Sequence, residues 1–126
     1  MKKQTVAVLG ASPDRSKYSN KAVRAYLQQD WDVFPVNPKS GTIEGLKVYA
    51  ALADIPAPLD RITVYLPPPV AVQALPSIAS VKPAELFINP GAESDELVEN
   101  AKALGLAPIL ACSIIDLGLN PSQFPG

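Results

Sequence analysis

The fold of this chain is decided by two stretches near its start, Val6-Ala7-Val8-Leu9-Gly10-Ala11-Ser12-Pro13 and Val33-Phe34-Pro35-Val36-Asn37-Pro38-Lys39. The first lies in a near-continuous apolar run, Thr5–Leu9, that is typical of a strand covered on both faces and ends in a glycine turn. The second contains the next predicted strand, Asp32–Val36. Between them, Asn20–Gln29 carries apolar residues at helical spacing, and Ser19 before it is a suitable N-cap. The pattern therefore predicts a strand–helix–strand unit with parallel strands.

The rest of the sequence continues this alternation. Three further apolar segments are predicted as strands: Arg61–Leu66, Glu85–Ile88 and Ala107–Ala111. Strands that alternate with helices form a parallel sheet covered by helices on both faces, and right-handed crossovers favour the doubly wound order. The sequence thus predicts an α/β fold: one doubly wound domain over residues 1–126, with a five-stranded, mainly parallel sheet.

Smaller signals place the helices. Pro67-Pro68-Pro69 predicts a helix start that runs to Leu75, and Pro76 should break or kink this helix. Ser94 should cap a helix over Asp95–Leu104. The remaining expectations are a loop over Asn37–Gly45, a helical turn over Ala50–Ala53, and no firm assignment for Ser113–Gly126.

Composition excludes several classes of protein. A hydrophobic content of 48% argues against disorder, and a net charge of −1 argues against general nucleic-acid binding. The absence of histidine excludes imidazole-based catalysis, and we expect neither catalytic residues nor a metal site. The single cysteine leaves no internal disulfide, which fits the cytoplasm. No signal peptide or membrane-spanning run is evident.

The loops that follow the first two strands favour a phosphate ligand. Gly10-Ala11-Ser12-Pro13 lacks two glycines of the dinucleotide fingerprint, but its backbone and the next helix N-terminus can still bind phosphate. Lys39 stands where dinucleotide sites usually carry an acid for the ribose, and a lysine attracts phosphate instead. Arg15 and Lys17 add positive charge nearby. The alternative to phosphate binding is that Gly10–Pro13 forms an ordinary turn between strand and helix and that Lys39 is a solvent-exposed loop residue.

The loops after the third and fourth strands complete the predicted site. Leu66-Pro67-Pro68-Pro69 would form a stiff apolar wall able to stack on an adenine, or simply start a helix. Asn89-Pro90-Gly91 reads as a turn whose glycine permits positive φ. Cys112 is more typical of a small buried hydrophobe than of a reactive thiol. Asp14 and Asp116 are interpreted as loop caps.

Taken together, these blocks resemble the CoA-binding domain family, small Rossmann-like proteins related to the amino-terminal domain of the succinyl-CoA synthetase alpha subunit. The resemblance covers roughly residues 4–112 and rests on Val6–Tyr18, Val33–Lys39 and Asn89–Glu93, with support from Tyr49–Pro56. The chain departs from the small family members at Tyr65–Pro69, which looks more like the synthetase, and at Leu110-Ala111, where they usually carry Asp-Arg.

The resemblance implies roles for individual residues. Gly10, Ser12, Asp14 and Arg15 would line the phosphates and ribose of CoA, and Lys39 would meet the 3′-phosphate. Asn89 and Pro90 would border the nucleotide. The full candidate site is Gly10, Ala11, Ser12, Asp14, Arg15, Asn37, Lys39, Leu66, Pro67, Pro68, Asn89 and Pro90.

We therefore expect a protein that binds coenzyme A or an acyl-CoA as a small-molecule ligand without performing chemistry on it. Neither nucleic acid nor a membrane is expected as a partner, and the sequence does not identify a protein partner. One alternative is an NAD(P)-binding regulatory domain, in which Lys39 would meet the 2′-phosphate of NADP. Another is a detached CoA-binding subunit of an acyl-CoA synthetase whose catalytic parts lie on another chain.

Overall fold

The computed structural model describes residues 3–39 and 41–126. Alternating strands and helices follow the chain from its first strand onward. The elements are β1 (Thr5–Leu9), α1 (Tyr18–Gln28), β2 (Asp32–Val36), β3 (Thr42–Ile43), β4 (Leu46–Lys47), β5 (Arg61–Val64), α2 (Pro68–Val81), β6 (Glu85–Ile88), α3 (Asp95–Ala103), β7 (Pro108–Leu110) and α4 (Ser113–Asp116).

The main sheet has five parallel strands in the order β2-β1-β5-β6-β7. This confirms the predicted doubly wound α/β fold. One face packs against α2 and α3 through Leu75, Ile78 and Leu97. The other face packs against α1 and α4 through Val23 and Ile114. Because both faces are covered, most residues of the strands are apolar.

Two helices differ from the prediction in detail. Helix α1 begins at Tyr18, and Ser19 lies buried inside its first turn, so the predicted Ser19 cap is wrong. Helix α2 continues through Pro76 to Val81, so the predicted break is also wrong. The proline removes one backbone hydrogen bond, but Leu75 and Ile78 on either side are buried against the sheet and hold the helix in place. Helix α3 is capped as predicted, since the Leu97 amide donates to Ser94 Oγ at 3.1 Å.

Two segments carry structure that the sequence did not reveal. The predicted loop before Gly45 contains the β3–β4 hairpin, whose turn residues Glu44 and Gly45 have φ values of 51° and 79°. The chain after Cys112 forms α4 and a 3₁₀ turn, and Phe124 beyond them is buried against the α1 side of the sheet. The helical turn expected over Ala50–Ala53 is a 3₁₀ turn over Leu52–Asp54.

Arg61 ties the last helix to the sheet. Its guanidinium is buried and donates to Asp116 Oδ2 at 2.9 Å, to the Tyr26 hydroxyl at 3.2 Å and to Glu85 Oε1 at 3.0 Å. Asp116 is therefore an ion-pair partner of Arg61, and its interpretation as a loop cap is wrong. No helix in the described part of the chain is long and apolar enough to cross a membrane.

Candidate functional site

The candidate site lies at the carboxyl edge of the sheet, where the connection after β1 leads to β2 on one side and the connection after β5 leads to β6 on the other. Such switch points open a crevice between diverging loops. Here the crevice is an open cleft of about 430 Å³. It is lined by Lys17, Tyr18, Ser19, Tyr65, Leu66, Pro67, Pro68, Pro90, Gly91 and Ala92.

Gly10 allows the ends of β1 and β5 to approach closely. Its φ is +91°, and a Cβ at this position would lie 2.6 Å from the Tyr65 carbonyl oxygen and 2.9 Å from Leu66 Cδ2. The amides of Gly10 and Ala11 both donate to the Val36 carbonyl at 3.1 Å. These two residues therefore form the base of the site with backbone atoms. The close approach to β5 is possible because glycine has no side chain.

Ser12 and Asp14 hold the loop that follows β1. Ser12 Oγ accepts from the Asp14 amide at 3.0 Å, and Asp14 Oδ1 accepts from the amide and hydroxyl of Ser16 at 3.0 and 2.7 Å. The hydrogen bonds from Ser16 lower the pKa of the Asp14 carboxyl. Asp14 thus acts as the loop cap predicted from the sequence.

The N-terminus of α1 supplies free donors to the cleft. Its N-cap, Lys17, makes no side-chain capping hydrogen bond. Within residues 3–39 and 41–126, the amides of Tyr18 and Ser19 have no hydrogen-bond acceptor. Unpaired amides and the helix dipole attract anions. The N-terminus of α2, on the opposite wall, begins with Pro67-Pro68-Pro69 and lacks the corresponding N–H groups.

The Arg15 side chain forms an ion pair with the β3–β4 hairpin. Its guanidinium pairs with the two carboxylate oxygens of Glu44 in the β3–β4 hairpin, at 3.0 and 3.2 Å. Asn20 Nδ2 also donates to Glu44, at 3.1 Å. Hydrogen bonds from Arg15 and then Asn20 lower the pKa of Glu44. Arg24 holds the same loop by donating to the Arg15 carbonyl at 2.8 Å.

Lys39 lies in a second cavity on the β2 side of the edge. This cavity holds about 190 Å³ and is lined by Pro13, Asn37, Lys39, Thr42, Ile43 and Val48. Asn37 positions the loop, because its Nδ2 donates to the Ala11 carbonyl at 2.7 Å and its Oδ1 accepts from the Lys39 amide at 2.8 Å. Lys39 is exposed and forms no ion pair among the described residues.

A third cavity adjoins the cleft on the β6–β7 side. It holds about 310 Å³, shares Tyr18, Tyr65 and Pro90 with the cleft, and has a mostly apolar lining. The other lining residues are Asn89, Cys112, Ile115 and Pro121. We call it the apolar cavity.

Two polar side chains line the base of the apolar cavity: Asn89, whose amide group already forms hydrogen bonds within the protein, and Tyr65, whose hydroxyl is buried. Asn89 Nδ2 donates to Thr63 Oγ1 at 2.6 Å and to the Val64 carbonyl at 3.0 Å, while Asn89 Oδ1 accepts from the Ser113 amide at 2.8 Å. The Tyr65 hydroxyl is buried without a hydrogen-bond partner in the described structure. Burial raises the pKa of Tyr65, and the nearby Cys112 raises it further, so the phenol stays neutral.

The predicted residues thus fall into groups. Leu66, Pro67, Pro68 and Pro90 line the cleft, and Asn89 lines the adjoining apolar cavity. Asn37 and Lys39 line the β2-side cavity. Five predicted residues belong to the loop after β1 and line none of the three spaces: Gly10, Ala11, Ser12, Asp14 and Arg15. The prediction missed Tyr18, Ser19, Tyr65 and Ile115, since only the packing shows that they face a cavity.

The chain is similar in sequence and in structure to known proteins. The family model described as "CoA binding domain" matches residues 4–118. A conserved hypothetical protein from Pyrococcus furiosus has 29% identity and a TM-score of 0.80, with 91% of this chain and 99% of that chain covered. A trans-feruloyl-CoA synthase from an unknown prokaryotic organism is 30% identical over 81 residues, which span 63% of this chain and 12% of the synthase.

The fold also occurs inside a larger enzyme structure. An acetyl-coenzyme A synthetase 1 from Ca. Korarchaeum cryptofilum matches with a TM-score of 0.75 and 24% identity, covering 86% of this chain and 25% of the synthetase. At that identity the likeness shows the fold alone. Among the described residues, no cluster of three potential metal ligands is present. Because the family model matches nearly the whole chain, this protein belongs to the CoA binding domain family.

Proposed function

We propose that residues 1–126 act as one domain that binds coenzyme A or an acyl-CoA without doing chemistry on it. The observation that carries this proposal is the donor-rich α1 N-terminus on the wall of an open cleft that adjoins an apolar cavity. CoA is an extended molecule whose charged phosphates are followed by a long polar arm, and an open cleft can hold both. Its pyrophosphate suits the amides of Tyr18 and Ser19 and the positive charge of Lys17.

Lys39 is proposed to bind the 3′-phosphate of the CoA ribose. It lies on the β2 side of the Gly10–Arg15 loop, and no carboxylate pairs with it in the described part of the chain. An exposed ammonium is a suitable point charge for a phosphate. In this arrangement the phosphorylated ribose reaches the β2 side, while the rest of the ligand follows the cleft towards β6.

The proposal of binding without catalysis rests on the chemistry of the side chains. The sequence contains no histidine. Asn89 is held by three hydrogen bonds, and Asp14 by two from Ser16. Nucleophilic catalysis needs a nucleophile beside a base, and metal-assisted catalysis needs a cluster of ligands. The residues that line the cleft provide neither arrangement. The single cysteine agrees with a cytoplasmic location.

A ligand screen tests the proposed function. Native mass spectrometry of the purified protein should detect a retained species of CoA mass. In a thermal-shift assay, CoA at a hundredfold excess over its dissociation constant should stabilise the protein by about 2.7 kcal/mol. NAD and NADP serve as controls, because either would support the dinucleotide alternative. A larger shift with NAD or NADP than with CoA contradicts the proposal.

One observation favours a second candidate, a CoA-binding subunit that works with a separate catalytic chain. The chain matches only 12% of the trans-feruloyl-CoA synthase and 25% of the acetyl-coenzyme A synthetase, so related domains occur within longer enzymes. Affinity purification from the native host, followed by a CoA-ligase assay of the eluate, separates the two candidates. Ligase activity in the eluate that the purified protein lacks would favour the subunit.

A further inference from the structure

The apolar cavity is a poor place for the pantetheine arm of CoA. That arm carries two amides, which need hydrogen-bond partners when they are buried. Asn89 has no free amide group to offer, since its Nδ2 and Oδ1 bind Thr63, Val64 and the Ser113 amide. Pro90 and Pro121 have no N–H. The buried Tyr65 hydroxyl has no partner in the described structure and can serve one amide group, but the arm has two N–H and two C=O groups. An arm buried here would therefore lose more bonds to water than the lining replaces.

A hydrocarbon chain, in contrast, suits this cavity. Its lining is mostly apolar, with Ile115 and two prolines on its walls and the half-buried Cys112 at one side. It adjoins the cleft, with which it shares the lining residues Tyr18, Tyr65 and Pro90, so a chain attached to a ligand in the cleft lies within reach of it. A volume of about 310 Å³ limits the chain to about ten methylene-sized groups, taking each as close to the ~30 Å³ of a water molecule.

We propose that the apolar cavity takes the acyl chain of a medium-chain acyl-CoA, so that the protein binds such thioesters more tightly than it binds free CoA. The inference rests on the proposed function, because it assumes that the CoA portion lies in the cleft. The pantetheine amides then remain in the open cleft, where water satisfies them. The thioester lies at the junction beside Tyr65 and Pro90, and the chain points towards Ile115.

The test is a chain-length series measured by isothermal titration calorimetry on the full chain. The ligands are CoA, acetyl-CoA, butanoyl-CoA, hexanoyl-CoA and octanoyl-CoA. A fully buried methylene should raise affinity about fourfold. Because one side of the cavity is open, we expect octanoyl-CoA to bind at least tenfold more tightly than acetyl-CoA.

Two matched variants locate the effect. Ile115→Ala removes apolar lining from an exposed position on α4 and should reduce the octanoyl-to-acetyl affinity ratio several-fold. Ile109→Ala makes the same change at an exposed position on β7 outside the cavity and should leave this ratio as in the wild type. A ratio equally reduced by both variants overturns the assignment to this cavity.

The outcomes separate this inference from the proposed function. Binding of CoA with equal affinity for every thioester overturns the acyl site alone. Failure of CoA and of every thioester to bind overturns both proposals. A wild-type affinity that rises with chain length, together with a loss specific to Ile115→Ala, supports both.

Discussion

Replacing Gly10 with alanine should push the ends of β1 and β5 apart, which should lower both the stability of the protein and its affinity for CoA. The new Cβ would lie 2.6 Å from the Tyr65 carbonyl oxygen, a backbone atom that cannot rotate away, and 2.9 Å from Leu66 Cδ2. The φ of +91° adds about 1–2 kcal/mol of backbone strain for a residue with a side chain, and overpacking adds about 1–3 kcal/mol. We expect a total loss of about 2–5 kcal/mol in the free energy of unfolding.

The measurement is urea unfolding at equilibrium, with Gly105→Ala as the matched control. Gly105 also has a positive φ, +80°, but a Cβ there would have no heavy atom within 4 Å. This variant should therefore show the strain alone, about 1–2 kcal/mol. CoA affinity, measured in parallel, should fall for Gly10→Ala and stay at the wild-type value for Gly105→Ala. Equal losses of stability in the two variants would refute the argument that close approach of the strand ends requires glycine.

Three further predictions concern the loops around the cleft. Lys39→Ala should weaken CoA binding about ten- to a hundredfold, with dephospho-CoA affected little, and a calorimetric double cycle with zero coupling would contradict the proposed 3′-phosphate contact. Because its folded pKa is lowered, Glu44 stabilises the protein above its usual pKa of 4.5, and this contribution is lost as pH falls through the folded pKa. Urea unfolding should therefore show Glu44→Gln less stable than wild type at pH 7 but similar near pH 3, and a constant difference would count against the pairing with Arg15. Arg24→Ala removes donors to the Phe124 and Pro125 carbonyls, so amides of residues 119–124 should exchange hydrogen about tenfold faster, and unaltered exchange would argue against this clamp.

Most of the sheet could be predicted because its strands are short runs of apolar residues that are visible in the sequence. Three strands agree with the prediction to the residue, because most of their side chains are apolar and buried: Thr5–Leu9, Asp32–Val36 and Glu85–Ile88. The continuation of α2 through Pro76 was not predictable from local propensity. Burial of the neighbouring residues Leu75 and Ile78 outweighs the lost hydrogen bond.

The site was predicted less completely because its geometry depends on long-range contacts. Arg15 pairs with Glu44, 29 positions further along the chain, in a hairpin whose residues had no strand pattern in the sequence. Ile115 forms a wall of the apolar cavity, in a tail where periodicity gave no assignment. The Gly10 and proline-rich loops, in contrast, lie where parallel-sheet topology requires them, at the carboxyl ends of β1 and β5.

The three consecutive prolines at the start of α2 also bear on how quickly a ligand is captured. Proline fixes φ and leaves the unfolded chain fewer conformations, so this wall of the cleft loses little entropy when it becomes ordered. A wall that is stiff before the ligand arrives needs no closing movement, unlike the mobile lids that slow capture in many enzymes. Stopped-flow association should then be a single phase whose rate rises linearly with CoA concentration. The binding rate would be set by diffusion and orientation alone.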